Sequence, residues 1–220
     1  MKILIVFAHP ELRSFNAALK DVAVTALEAE GHTVFVSDLY RMNFKAAADS
    51  GDFIKPANPE YLKLQAEQTK AFQEGTYAED IKAEMKKFED ADLVIFNFPI
   101  WWFSLPAIMK GWVDRVFAMG FAYGAGKGVY ENGAFRGKKA MLTFTTGGPQ
   151  QSYGKTGKNG ELDTILFHIH HGMFWFVGMD VLSPFIAWSP ARASDEERKK
   201  YLDDYAGRLK NIFSEEPMKW

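Results

Sequence analysis

The 220-residue sequence predicts an α/β fold in which a doubly wound parallel sheet carries helices on both faces. Strand-like and helix-like segments alternate five times along the chain. The strands read as unbroken apolar runs, KILIVFA near the start and DLVIFNF in the middle, as expected of strands covered on both faces. Three of the five strands also end in loops of unusual composition: HPELRSFN, FPIWWF and TTGG.

Lys2 to Ala8 forms the first strand. Ser14 is a good N-cap for a helix with Phe15, Ala18, Leu19, Val22, Ala26 and Leu27 at helical spacing, and Gly31 ends it. Thr33 to Asp38 is the second strand. The turn between these strands lacks G-x-G-x-x-G, so a Rossmann dinucleotide site is excluded there. Residues from about 39 to 75, broken at Pro56 and Pro59, form a longer connection than usual and are expected to be a flap or arm. A charged amphipathic helix from Glu79 to Glu89 leads into the third strand, Asp92 to Phe98. The aromatic loop follows, then a helix expected to start at Ser104 with Pro106 in its first turn, where a missing N–H costs little. After a glycine-rich surface loop come a fourth strand (Lys138 to Thr145), a helix from Glu161 to Val177, a fifth strand (Met179 to Trp188) and a last helix opened by the Ser194/Glu197 capping box. In the flavodoxin-like strand order 2-1-3-4-5, strands 1, 3 and 4 are neighbours. Their carboxyl ends, with the three unusual loops, then meet at the switch point where such sheets bind ligands.

Composition narrows the function. At 47% hydrophobic residues the chain builds a real core as one domain, residues 1–220. The net charge of -2 with no basic stripe argues against nucleic acid. The absence of cysteine removes disulfides and thiolate chemistry and is compatible with a reducing cytosol. No apolar run approaches a membrane span and no signal peptide is visible, so a cytoplasmic protein without membrane insertion is expected. The 15% aromatic content exceeds what such a core uses, so some rings are expected to face a ligand or a second subunit. His168, His170 and His171 point in different directions on a helix, and Trp175 stands one turn beyond His171; no metal is expected.

The three loops complement one another chemically. A helix N-terminus beside Ser14 and Asn16 offers N–H groups and a favourable dipole to phosphate. Trp101, Trp102 and Phe103 offer a wall for a flat ring. Thr145, Thr146, Gly147 and Gly148 offer backbone that a ligand can approach closely. Phosphate, flat ring and in-plane hydrogen bonds together describe a flavin nucleotide.

These residues, with AHPELRSFN, SDLYRMNF, ADLVIFNFPIWWFSLPAIMKGWVDRVF, FAY, TTGG followed by Tyr153, and the Asp180 to Pro184 region, resemble the NAD(P)H quinone reductases of the DT-diaphorase type over nearly the whole chain. The resemblance implies a homodimer with FAD, less readily FMN, at the subunit boundary, and NADH or NADPH alternating with a quinone at one flavin face. It implies that His9, Ser14, Phe15, Asn16 and Ala17 hold the diphosphate. Pro99, Ile100, Trp101, Trp102 and Phe103 with Thr145, Thr146, Gly147 and Gly148 would line the isoalloxazine, and Arg198 would lie near the adenylate. Trp102, Phe103, Gly147 and Gly148, joined by Tyr123 and Phe174 of the other subunit, would wall the substrate pocket. Tyr153 matches the tyrosine that donates toward the reduced flavin. Three positions depart from the pattern: Asn159 replaces the histidine that partners the tyrosine, Ala125 stands at a second pocket tyrosine, and Trp101 replaces a polar residue. Tyr153 and Asn159 are the candidate catalytic pair, with Asn159 supporting rather than exchanging a proton.

Two other classes compete with a reductase of quinones, azo compounds or nitroaromatics. A flavodoxin-like electron carrier would be shorter and more acidic. An accessory subunit regulating a membrane transporter remains a second alternative.

Overall fold

The computed structural model describes residues 1–124 and 126–220, so Ala125 lies outside the described residues. The elements are β1 (Lys2–Phe7), α1 (Phe15–Ala29), β2 (Thr33–Asp38), α2 (Leu64–Glu74), α3 (Glu79–Asp90), β3 (Leu93–Pro99), α4 (Ala107–Val116), β4 (Lys139–Thr146), α5 (Leu162–Ile169), β5 (Asp180–Val181), β6 (Phe185–Trp188) and α6 (Asp195–Leu209). The sheet runs β2-β1-β3-β4-β5, with β6 also pairing β4, and every pairing is parallel.

The expected order therefore holds with the fifth strand divided in two. Asp180 and Val181 pair with Lys139 and Ala140, and pairing resumes only at Phe185 opposite Thr143. Pro184 stands in the gap, where its missing N–H cannot join a ladder.

Alternation along the strands divides the core. Leu4, Val6, Val94, Phe96, Phe98, Leu142 and Phe144 face one side, with Ile81, Phe88, Met109, Trp112, Leu166 and Ile169 packed on them from α3, α4 and α5. Ile3, Ile5, Leu93, Ile95 and Met141 face the other, under Leu19, Ala23 and Leu27 of α1 and Tyr205 and Leu209 of α6. Both faces are dry, which explains why the strands read as continuous apolar runs.

Residues 39–53 dock on α4. A Cβ at Gly111 would fall 2.1 Å from the Ala46 carbonyl oxygen, so only glycine admits the loop there. The buried Arg115 donates through Nε and Nη2 to Asp52 Oδ1 (3.2 and 3.0 Å) and through Nη1 to Asp80 Oδ2 (2.7 Å). Beyond that lock, Ile54, Tyr61, Leu62 and Leu64 are exposed.

Two helices differ from their expected bounds. α4 begins at Ala107 with Pro106 at the cap position, because the N–H and C=O of Ser104 are both exchanged with Trp101. The expected single helix from Glu161 to Val177 is α5 followed by a π-helical segment, His170–Trp175. The wider turn changes which side chains face inward.

Candidate active site at the carboxyl edge of the sheet

The three loops converge as the strand order requires, and named contacts join each pair. His9 lies 6.3 Å from the Trp101 ring, linking the first loop to the second. Asn16 Nδ2 donates to Thr145 Oγ1 at 2.8 Å, linking the first to the third. The Ile100 N–H donates to the Thr145 carbonyl at 2.9 Å, and Phe103 meets Tyr153 edge-on at 6.5 Å, linking the second to the third.

In the first loop, Ser14 caps α1 by accepting from the Ala17 N–H at 3.1 Å. Ala17 is thereby committed to the cap, and the N–H groups of Phe15 and Asn16 have no acceptor within the helix. His9 Nδ1 is anchored 3.0 Å from the Glu11 backbone, which leaves Nε2 as the ring's other nitrogen. Glu11 is held below the ordinary carboxylate range, first by the Arg13 N–H and then by its guanidinium. Phe15 turns away to meet Tyr201 of α6 at 6.2 Å. Asn16 is 3% exposed, and its Oδ1 is buried without a partner.

In the second loop, Trp101 and Ser104 close a tight turn through two backbone hydrogen bonds of 3.2 and 3.0 Å. Its central residues, Trp102 and Phe103, have φ of 51° and 59°. For residues that are neither glycine nor asparagine this costs about 1–3 kcal/mol each, strain that gathers at functional sites. Trp102 is 96% exposed. A bare indole at the switch point calls for a ligand or a second chain to cover it.

In the third loop, Thr146 Oγ1 donates to the Gly148 carbonyl (2.7 Å) and accepts from the Ser189 N–H (3.2 Å), fixing the turn. A Cβ at Gly147 would meet nothing within 4 Å, whereas one at Gly148 would lie 3.4 Å from Asn159 Nδ2 and 3.8 Å from the Tyr153 hydroxyl. Tyr153 and Asn159 therefore flank the same glycine. The Asn159 N–H also donates to the Ser152 carbonyl at 2.9 Å, which holds the pair together.

Two substrate- and cofactor-side assignments change. Phe174 is fully buried, edge-on to Phe96 at 4.9 Å, and cannot wall a pocket. Phe176, beyond the π-helical segment, instead meets Tyr123 at 6.2 Å, and both line a cavity of about 590 Å³. Arg198 is spent on the carbonyls of Pro190 and Ala193 and on Asp195. It shapes the loop beside a cavity of about 490 Å³ whose lining includes Arg192, Lys200, Trp188 and Tyr201. Trp188 was not singled out from sequence; it sits 5.2 Å from Tyr153. Its place at the end of the last strand, like the other loops, was the available signal.

The histidines do not gather. His168 reaches Ser104, His170 is buried, and His171 stacks on Phe167. Among the described residues no three His, Cys, Asp or Glu side chains are arranged to hold a metal, and no helix is long and apolar enough to cross a membrane.

A six-stranded parallel α/β sheet with the loops after β1, β3 and β4 meeting at its carboxyl edge defines the class, and the chain belongs to the family with the flavodoxin-like fold, which it matches over residues 1–209. It is 47% identical over 218 residues to ribosyldihydronicotinamide dehydrogenase [quinone] of Pongo abelii, a match covering 99% of this chain and 94% of that one. It is 41% identical to NAD(P)H dehydrogenase [quinone] 1 of Rattus norvegicus, covering 99% and 79%. Among solved structures it is similar to a quinone-reductase candidate from Klebsiella pneumoniae, with a TM-score of 0.95, 44% identity and coverage of 99% and 86%.

Proposed function

We propose that the protein is a flavin-dependent oxidoreductase that passes electron pairs from a reduced nicotinamide to a quinone or similar acceptor. The observation that carries this reading is the contact between all three loops at one sheet edge, where a capped helix N-terminus, an aromatic turn and an open glycine lie side by side. The activities named for the relatives at 47% and 41% identity support it.

The donor set fits a flavin nucleotide. The unpartnered Asn16 Oδ1 and the empty space above Gly147 are features a ligand would complete. Bound flavin supplies two-electron hydride chemistry. The protein's part is to bind and orient. The N–H groups of Phe15 and Asn16 and the His9 ring would hold phosphate, Trp101 through Phe103 and Gly147 would line the ring, and Tyr153 would donate a hydrogen bond where negative charge develops. Asn159, which flanks Gly148 together with Tyr153, would support that hydroxyl.

FAD is favoured over FMN because a cavity lies beside the third loop at Pro149, with Arg192 available to a second phosphate, Lys200 paired with Asp204 on the same wall, and the rings of Trp188 and Tyr201 offered to an adenine. Heat-released cofactor identified by chromatography tests this; FMN alone would refute the adenylate assignment. The donor is NADH or NADPH. A second reading, ribosyldihydronicotinamide, is favoured by the name of the 47% identical relative, and parallel assays with each donor separate them.

The proposal includes a homodimer in the cytoplasm. Exposed Trp102 and Phe167, and the cavity walled by Tyr123 and Phe176, are surfaces a second copy would cover. A monomer at equilibrium sedimentation that still turns over quinone would refute the shared pocket.

A further inference from the structure

We infer that His168 is a positioning residue for the aromatic turn: through Ser104 it holds Trp102 and Phe103 in the left-handed conformation that sets their rings at the ligand edge. The inference rests on reading that edge as a flavin site.

The turn does not hold itself. Its two central residues both have positive φ, and neither side chain favours that region. The constraint must therefore enter from the ends. On the entry side, Pro99 is paired within the sheet and the Ile100 N–H is bound to the Thr145 carbonyl. On the exit side, Ser104 gives both backbone groups to Trp101, and Leu105 is buried at 6% exposure. The one side-chain hydrogen bond shown for the turn is Ser104 Oγ to His168 Nε2, 2.9 Å, spanning 64 residues of sequence. A hydroxyl can donate or accept, so the pair is satisfied with either ring tautomer.

The placement of Ser104 explains a local oddity. A serine two residues before a proline is well suited to cap a helix, yet α4 starts without its hydroxyl. That hydroxyl is used across the fold instead.

His168 also connects two regions. It stands in the last turn of α5, immediately before the π-helical segment, and lines the 590 Å³ cavity with Tyr123, Met173 and Phe176. The bond thus ties the conformation of the aromatic turn to the wall of the cavity lined by Tyr123 and Phe176. Trp102, almost wholly exposed, has no packing that would restore its orientation if the tie were lost.

Chymotrypsin, which cuts after aromatic residues, reads the turn directly in the purified protein, with cut sites assigned by mass spectrometry. His168→Ala and Ser104→Ala should each speed cleavage at Trp102 and Phe103 about ten-fold, the effect of one lost side-chain hydrogen bond. The double variant should be no faster than either single one. His168→Gln, whose amide can occupy the Nε2 position, should return the rate to within about two-fold of wild type. Flavin affinity and the position of the bound flavin's visible band should follow the same order, with Tm little changed. Unchanged cleavage and unchanged flavin affinity in all variants would overturn the inference. A fall in Tm with cleavage throughout the chain, unrescued by glutamine, would also overturn it by making the bond merely structural. Turn-specific cleavage in a protein whose wild type binds no flavin would uphold the positioning role and remove the flavin reading.

Discussion

Gly147→Ala separates folding from ligand binding at the third loop. Gly147 is exposed, does not adopt positive φ, and has nothing within 4 Å of an added Cβ. Alanine therefore introduces no clash into the free protein, and reduced freedom of the unfolded chain should leave stability unchanged or raised by up to about 1 kcal/mol. If a flat cofactor lies over this glycine, the methyl occupies its surface. Overpacking by one methyl costs about 1–3 kcal/mol, which corresponds to a roughly 5- to 150-fold increase in Kd. Gly148→Ala is the companion case: its Cβ would come 3.4 Å from Asn159 Nδ2 and 3.6 Å from Tyr153 Cε2, ordinary contact distances, so it too should leave the free protein folded. Titration of stripped protein with FAD, followed by quenching of flavin fluorescence and paired with thermal unfolding, measures both effects. If Gly147→Ala binds FAD as tightly as wild type, the cofactor does not lie against this loop as proposed.

Other outcomes follow from particular contacts. Arg115→Ala removes a buried guanidinium, but Asp52 keeps its pair with Lys45 and Asp80 is partly exposed, so the cost in denaturant unfolding should be about 1–3 kcal/mol, with Arg115→Met recovering part through packing and Asp52→Ala, which leaves the buried Arg115 short of a partner, costing more. His170 is depressed to about 4, first by burial and then by His168, so the unfolded chain binds its proton at higher pH than the fold does. Its contribution is intact above about pH 6.5 and is lost progressively toward pH 4, a fall of up to about 3 kcal/mol that His170→Leu should remove from the pH–stability curve. Tyr153→Phe should slow flavin reduction roughly ten- to a few hundred-fold with little change in cofactor affinity, the worth of one charge-assisted donor. Asn159→Ala should cost less, and Asn159→His should add a rate dependence near the histidine pKa; stopped-flow reduction across pH checks all three.

Much of the architecture was legible because local signals agreed with the global fold. Thr33–Asp38 is the strand its pattern indicates, Ser14 caps α1, and Ser194 and Glu197 form the capping box of α6. The meeting of three loops followed from strand order alone. Misread features depend on interactions between distant residues. Ser104 reads as a helix cap until His168 is known to stand beside its hydroxyl. Phe174 and Phe176 exchange roles because the π-helical segment shifts the helix face, which a 3.6-residue period cannot register. Arg198 reads as an anion contact, yet its donors serve carbonyls of its own loop. The break in the fifth strand was foreshadowed by Pro184, whose missing N–H outweighed the apolar pattern around it.

The most direct measurement is an anaerobic spectrum of the purified protein through one full cycle. A visible flavin band should be present, should bleach on adding a stoichiometric reduced nicotinamide, and should return at once on adding the quinone menadione, with one quinone reduced per flavin. A protein that takes up no flavin would contradict the proposed site, and a band that bleaches but is not restored by quinone would contradict the proposed reaction.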